Sequence, residues 1–95
     1  MLFVVQGFDG TDSAGKRAAH YEAHKAFLAE HAQWGVDIIM SGPLTLDDGV
    51  TPIGSHFVIE APDRATAEAF HRADPFFKAN VWDTTRVTAF QKRRG

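Results

Sequence analysis

The chain has 95 residues, 44% of them apolar and eight of them Phe, with a formal charge of −2. That describes one folded domain with a modest core, and the slight acidity excludes a general attraction for nucleic acid or an anionic membrane surface. The absence of cysteine excludes disulfides, thiolate nucleophiles and thiolate-held metals.

No stretch reaches the roughly 20 apolar residues of a membrane span. The opening Met1-Leu2-Phe3-Val4-Val5 is too short, and too poor in preceding basic residues, for a signal peptide. The expectation is a cytoplasmic protein. The only basic run, Lys92-Arg93-Arg94, reads as a solvated tail.

Residues 2–8 are rich in β-branched and aromatic side chains and predict a first strand, apolar on both faces. Residues 9–13 carry turn chemistry, with Asp12 or Ser13 as the cap of a coming helix. The run Gly10 to Lys16 has the G-x-x-x-x-G-K spacing of a phosphate loop. It is rejected, because Arg17 stands where such loops place the Ser/Thr that binds magnesium, and Asp9 and Asp12 repel a phosphate.

Residues 17–34 predict one amphipathic helix ended by Gly35. Tyr21, Phe27, Leu28, Ala32 and Trp34 form its apolar arc, and Glu22, Ala26, Ala29 and Gln33 its polar side. His24 projects near the centre of the apolar arc, and Arg17 within roughly 20° of it. An unpartnered polar group there costs roughly 1–3 kcal/mol. Each therefore needs a partner in the chain or faces a pocket. For His24 two readings stand: a core imidazole bonded to a backbone carbonyl, or a functional group. His20, His24 and His31 lie within about 40° of one another. His31 is two turns from His24 and no carboxylate completes the set, so no metal site is expected.

Residues 36–46 predict a second strand, with Ile38 and Met40 on one face and Asp37, Ile39 and Ser41 on the other. Gly42-Pro43 marks a bulge or bend at an exposed edge, and Asp47-Asp48-Gly49 a hairpin turn. Residues 53–61 predict a third strand, with Gly54 a bulge or a close backbone approach. Asp63 caps a second helix reaching Ala73, with Ala65, Ala69, Phe70 and Ala73 on its packing face. Asp74-Pro75 breaks it, and residues 76–80 form a short helical turn. Residues 81–90 predict the last strand, with Trp82, Thr84, Arg86, Thr88 and Phe90 on one face.

The order β-α-β-β-α-β is the ferredoxin-like α+β arrangement: a four-stranded antiparallel sheet with both helices on one face. The other face keeps large apolar residues, so a homodimer through the open sheet face is expected.

Arg17, His24, Gly35, Ser41-Gly42-Pro43-Leu44, Asp47-Asp48-Gly49, Gly54 and Ala73-Asp74-Pro75-Phe76 together resemble the YciI-like (YCII-related) family over nearly the whole chain. The resemblance implies a dimeric α+β barrel of ferredoxin-like domains and an active site centred on a His–Asp pair, which falls on His24 and Asp74. One branch of that family is implicated in dechlorination of a hydroxylated chloroaromatic ring, and some members are fused to transcription-related domains. The fold is shared with muconolactone isomerases and small cofactor-free monooxygenases. The chain departs from the family pattern at Ala79-Asn80-Val81, where Asn tolerates the positive φ of a turn, and by one extra residue between Gly35 and Gly42.

On this reading His24 is a general acid/base and Asp74 its orienting partner. Arg17 holds an anionic oxygen, and Ser41, Gly42 and Pro43 form the substrate-facing turn. Read from the residues alone, Asp74 is equally a cap for the turn after it and Arg17 a structural ion pair with Asp74. The expected function is isomerisation or elimination, such as dehydrochlorination, on a small anionic cyclic or aromatic compound without a cofactor. The alternative is a non-catalytic ligand-binding or assembly module of the same fold.

Overall fold

The computed structural model describes residues 1–95. The chain runs β1 (Leu2–Asp9), α1 (Ser13–Ala29), a 3₁₀ turn (His31–Trp34), β2 (Asp37–Thr45), β3 (Pro52–Glu60), α2 (Arg64–Ala73), α3 (Pro75–Lys78) and β4 (Trp82–Phe90). The strands form one antiparallel sheet in the order β2-β3-β1-β4. This is the ferredoxin-like α+β architecture. The core lies between the sheet and the helices: Phe3 and Val5 of β1, Phe57 and Ile59 of β3, Ala67 and Phe70 of α2, Phe76 of α3, and Trp82 of β4.

The helix expected over 17–34 begins earlier and stops earlier. Ser13 does not cap it. Its buried hydroxyl accepts from the Gly10 N–H at 2.8 Å and donates to the Val81 carbonyl, tying the start of α1 to the start of β4. At Glu30 (φ −103, ψ 23) the chain leaves the α-helical path and tightens into the 3₁₀ turn, which ends at Gly35 with φ +71. Only glycine takes that value at little cost. The His31 ring Nδ1–H donates to the Val36 carbonyl at 2.6 Å, across the turn into β2. Ala32 and Trp34 therefore leave the apolar arc, and Tyr21 is exposed. The only buried residues of α1 are Ser13 and His24. The helix rests on α3 and meets the sheet through Arg17 on Asp9 and Ser55 and through His24 on the edge of Phe57.

Two bulges change which side chains face the helices. In β2 the register slips between Ile38 and Met40, so Ile39 is an extra residue and Ile38 and Ser41 share the helix-side face. The expected alternation, with Ile38 beside Met40, fails because one inserted residue reverses every face after it. In β4 the register slips where Asp9 pairs with Trp82, turning Trp82 inward into the core and away from Thr84 and Arg86. Gly42-Pro43, by contrast, stays in register, opposite His56 and Ser55. Proline is tolerated there because β2 is an edge strand, where the missing N–H has no ladder to serve. At Gly54 the close approach is real: a Cβ would sit 2.5 Å from the Gly7 carbonyl oxygen.

Asp63 accepts from the Thr66 N–H at 2.8 Å and caps α2. The helix docks through Ala67, Phe70 and His71, while Ala65 and Ala69 are exposed. His71 stacks on Trp82 (centroids 5.3 Å) and meets Phe77 edge-on (5.0 Å), and its Nε2 has no hydrogen-bond partner. Burial pushes its pKa below the ordinary 6.5, outweighing the upward pull of the Asp74 carboxylate. The folded chain therefore holds His71 neutral, while the unfolded chain takes up a proton below that value. Stability from this group is complete above about pH 6.5 and is lost as pH falls through it toward the depressed folded value. Thermal melts between about pH 8 and pH 5 should show Tm falling below pH 6.5, and His71→Phe, which keeps a ring on Trp82, should flatten that fall.

Candidate functional site

His24 lies in the second half of α1, five residues before Ala29, and turns toward α3. Its Nδ1–H donates to Asp74 Oδ1 at 2.7 Å. Both groups are buried, with side chains 9% and 3% exposed. The ring lies flat on Phe76, with centroids 3.9 Å apart and planes 1° apart, and meets the edge of Phe57. Asp74 Oδ1 also accepts the Phe76 N–H at 2.9 Å, capping α3 at its first turn. One oxygen thus both meets the His24 ring and caps α3. Proline at the first position of α3 holds the turn that aims it. A charge-assisted contact of this length fixes the ring's orientation and tautomer. Nε2 is left without a protein partner.

The ring lines a cavity of about 500 Å³ between α1 and the β2–β3 half of the sheet. Such a volume suits a small ring compound. Arg17, Tyr21, His24 and Leu28 form one wall, and Ser55, Phe57 and Phe76 the floor. Ser41, Gly42 and Pro43 line the exposed rim. The bulge at Ile39 brings Ser41 to the helix side of the sheet, where it can line the cavity.

Arg17 reaches the same cavity but does not pair with Asp74. Its Nε and Nη2 donate to Asp9 Oδ2 and Oδ1 at 2.6 and 2.9 Å, a bidentate pair with side chains 14% and 9% exposed. Nη2 also donates to Ser55 Oγ at 3.0 Å, and the guanidinium lies over the Phe76 ring at 5.4 Å. Ser55 Oγ receives a second donor, Trp82 Nε1–H, at 3.1 Å. Trp82 reaches it across Gly7, where a Cβ would sit 2.3 Å from the indole.

A family model for the YCII-related domain matches residues 1–91. The chain belongs to the YCII-related family. Protein YciI from Escherichia coli O6:H1 and protein YciI from Shigella flexneri are each 31% identical to it over 97 residues, covering 97% of this chain and 98% of theirs. Among solved structures it is similar to the 5-chloro-2-hydroxyhydroquinone dehydrochlorinase TftG of Burkholderia phenoliruptrix AC1100, in complex with 2,5-dihydroxybenzoquinone. That similarity has TM-score 0.82 and 29% identity over 96% of this chain and 94% of that one. An antibiotic biosynthesis monooxygenase shares the fold, with TM-score 0.57 and 17% identity over 99% and 100% of the two chains.

In this YCII-related domain the residues singled out from sequence, Arg17, His24, Ser41, Gly42 and Pro43, line one cavity, and Asp74 sits behind it on His24. Asp9 and Ser55 were missed. Asp9 stands beside turn residues, yet it continues the inward row Phe3, Val5, Gly7 at period two, which is the signal for an acid facing the helices. Ser55 shares the inward row of Phe57 and Ile59 for the same reason. His20 and His31 do not join His24: His20 is exposed and His31 is engaged with Val36. At Asn80 the backbone takes φ +57, the positive value that the departure from the family pattern requires.

Proposed function

We propose that this domain is a small lyase-like enzyme that works without a cofactor on a hydroxylated, chlorinated six-membered ring. The observation that carries this reading is the 2.7 Å contact between Asp74 and His24, whose ring lines the cavity wall. Neutral His24, held by Asp74 through Nδ1–H, presents Nε2 as a base. It takes a proton from a ring hydroxyl, and the carbon bearing chlorine takes up a proton as the electron pair enters the ring, giving a keto tautomer; chloride then leaves with the C–Cl electron pair while a second hydroxyl gives up its proton to Nε2 and its electrons close the quinone. Asp74 stabilises the imidazolium that forms, which then returns its proton to solvent. Loss of HCl leaves a quinone-like product, and the step needs no outside oxidant. The aromatic floor of Phe57 and Phe76 suits a flat ring. Similarity to a dehydrochlorinase supports the reaction class, and the ligand of that enzyme is a hydroxylated ring of the expected size.

The proposed enzyme is a homodimer. Phe8, Met40 and Phe90 are 45%, 60% and 45% exposed on the sheet face opposite the helices, beside the half-buried Leu2, Val4 and Val58. A second copy covering that face buries this row. Sedimentation equilibrium should give twice the 10.5 kDa chain mass, and a species of single mass would overturn the dimer.

The direct test of the activity is chloride release. Purified protein incubated with 5-chloro-2-hydroxyhydroquinone should liberate chloride faster than buffer does, with one equivalent released per ring consumed. Release at the buffer rate would contradict the reading.

A further inference from the structure

We propose that Ser55 is the residue that reads an oxygen of the bound ring, and that it does so only as a hydrogen-bond donor. This rests on the function proposed above. A serine hydroxyl has one proton to donate and two lone pairs that accept. The two protein groups on Ser55 Oγ, Arg17 Nη2–H at 3.0 Å and Trp82 Nε1–H at 3.1 Å, can only donate. Both lone pairs are therefore occupied, and the hydroxyl proton has no protein acceptor. Ser55 is 4% exposed, and the little surface it keeps belongs to the cavity. Its proton is thus offered to whatever acceptor the cavity holds: a carbonyl or phenolate oxygen, never the N–H or O–H end of a ligand.

The donors that impose this direction are themselves fixed. Asp9 holds Arg17 in a bidentate grip. Trp82 is packed on Gly7 and between the rings of Phe57, Phe76 and His71. A donor held by rigid neighbours gives more discrimination than a free rotor, because little orientational freedom is lost on binding. The ring therefore binds with an acceptor oxygen toward Ser55 and its reacting side toward His24.

The test compares the wild type with Ser55→Ala and Ser55→Cys, using two probes. One is 2,5-dihydroxybenzoquinone, which carries acceptor oxygens. The other is chlorobenzene, titrated by NMR, which carries none. Ser55→Ala should bind the quinone about tenfold more weakly, with chlorobenzene affinity unchanged. Ser55→Cys, of similar shape but a weak donor, should fall between, and it carries the test if the alanine variant does not fold. Quinone affinity within twofold of wild type overturns the assignment. An equal loss for both probes also overturns it, because that is the result of a purely structural role. A wild-type protein that binds chlorobenzene but not the quinone overturns Ser55 and the proposed function together. Wild-type turnover with unaltered quinone binding by Ser55→Ala overturns Ser55 alone.

Discussion

His24→Asn should lower the rate of chloride release from 5-chloro-2-hydroxyhydroquinone by about 10²–10⁴-fold, the usual contribution of a positioned general base. The cavity survives the change, so affinity for 2,5-dihydroxybenzoquinone should move far less than turnover. Asp74→Asn should lower turnover by about 10²-fold or more, since an amide cannot stabilise the imidazolium and can hold the ring in the wrong tautomer. The two groups act as a unit. The double variant should therefore be little slower than His24→Asn alone, well short of the product of the two losses. Steady-state chloride assays on the three variants check this. Full additivity would mean that Asp74 acts through the fold and not through His24.

The second large effect is on stability. Arg17→Met strands the Asp9 carboxylate, 9% exposed at the end of β1. Removing one partner of a buried pair costs about 3–5 kcal/mol, and the residual exposure of Arg17 puts the expectation near the lower end, about 3 kcal/mol. For a domain of this size that is a Tm decrease of roughly 10–20 °C. Arg17→Lys should also lose stability, because an ammonium cannot reproduce the two-pronged contact. Replacing both partners, Asp9→Leu with Arg17→Met, should recover most of the loss, since neither leaves a buried charge. Turnover should stay low in that double variant, because the donor on Ser55 is gone. Thermal melts and chloride release on the four proteins separate these outcomes. A Tm for Arg17→Met within about 2 °C of wild type would show that the ion pair is solvated.

Much of the fold is legible along the chain because its breakers are unambiguous. The turn at 9–13, Gly35, Asp47-Asp48-Gly49, Pro62-Asp63 and Asp74-Pro75 cut the sequence into β-α-β-β-α-β before any contact is known. His24 stands out because an imidazole at the centre of an apolar arc needs a partner. Asp74 is legible only in part. Its position before Pro75 is a capping pattern, and nothing local says that the same oxygen meets a helix fifty residues earlier.

What stays hidden is hidden for definite reasons. Period-two reasoning assigns faces until a bulge intervenes, and the bulges at Ile39 and beside Trp82 reverse them. That reversal places Ser41 at the cavity and Trp82 in the core. The partners of Arg17 lie on β1 and β3, and a helix wheel contains no information about either. Asp9 both completes the inward row of β1 and precedes Gly10, so its turn chemistry and its place in the strand point to different roles.

A crystal structure with 2,5-dihydroxybenzoquinone bears most directly on the role of His24. The ring should lie in the cavity over Phe57 and Phe76, with a reacting atom within about 3 Å of His24 Nε2 and Nδ1–H still on Asp74. A ring seated elsewhere, or one in the cavity with no atom in hydrogen-bonding reach of Nε2, would contradict a base at that position.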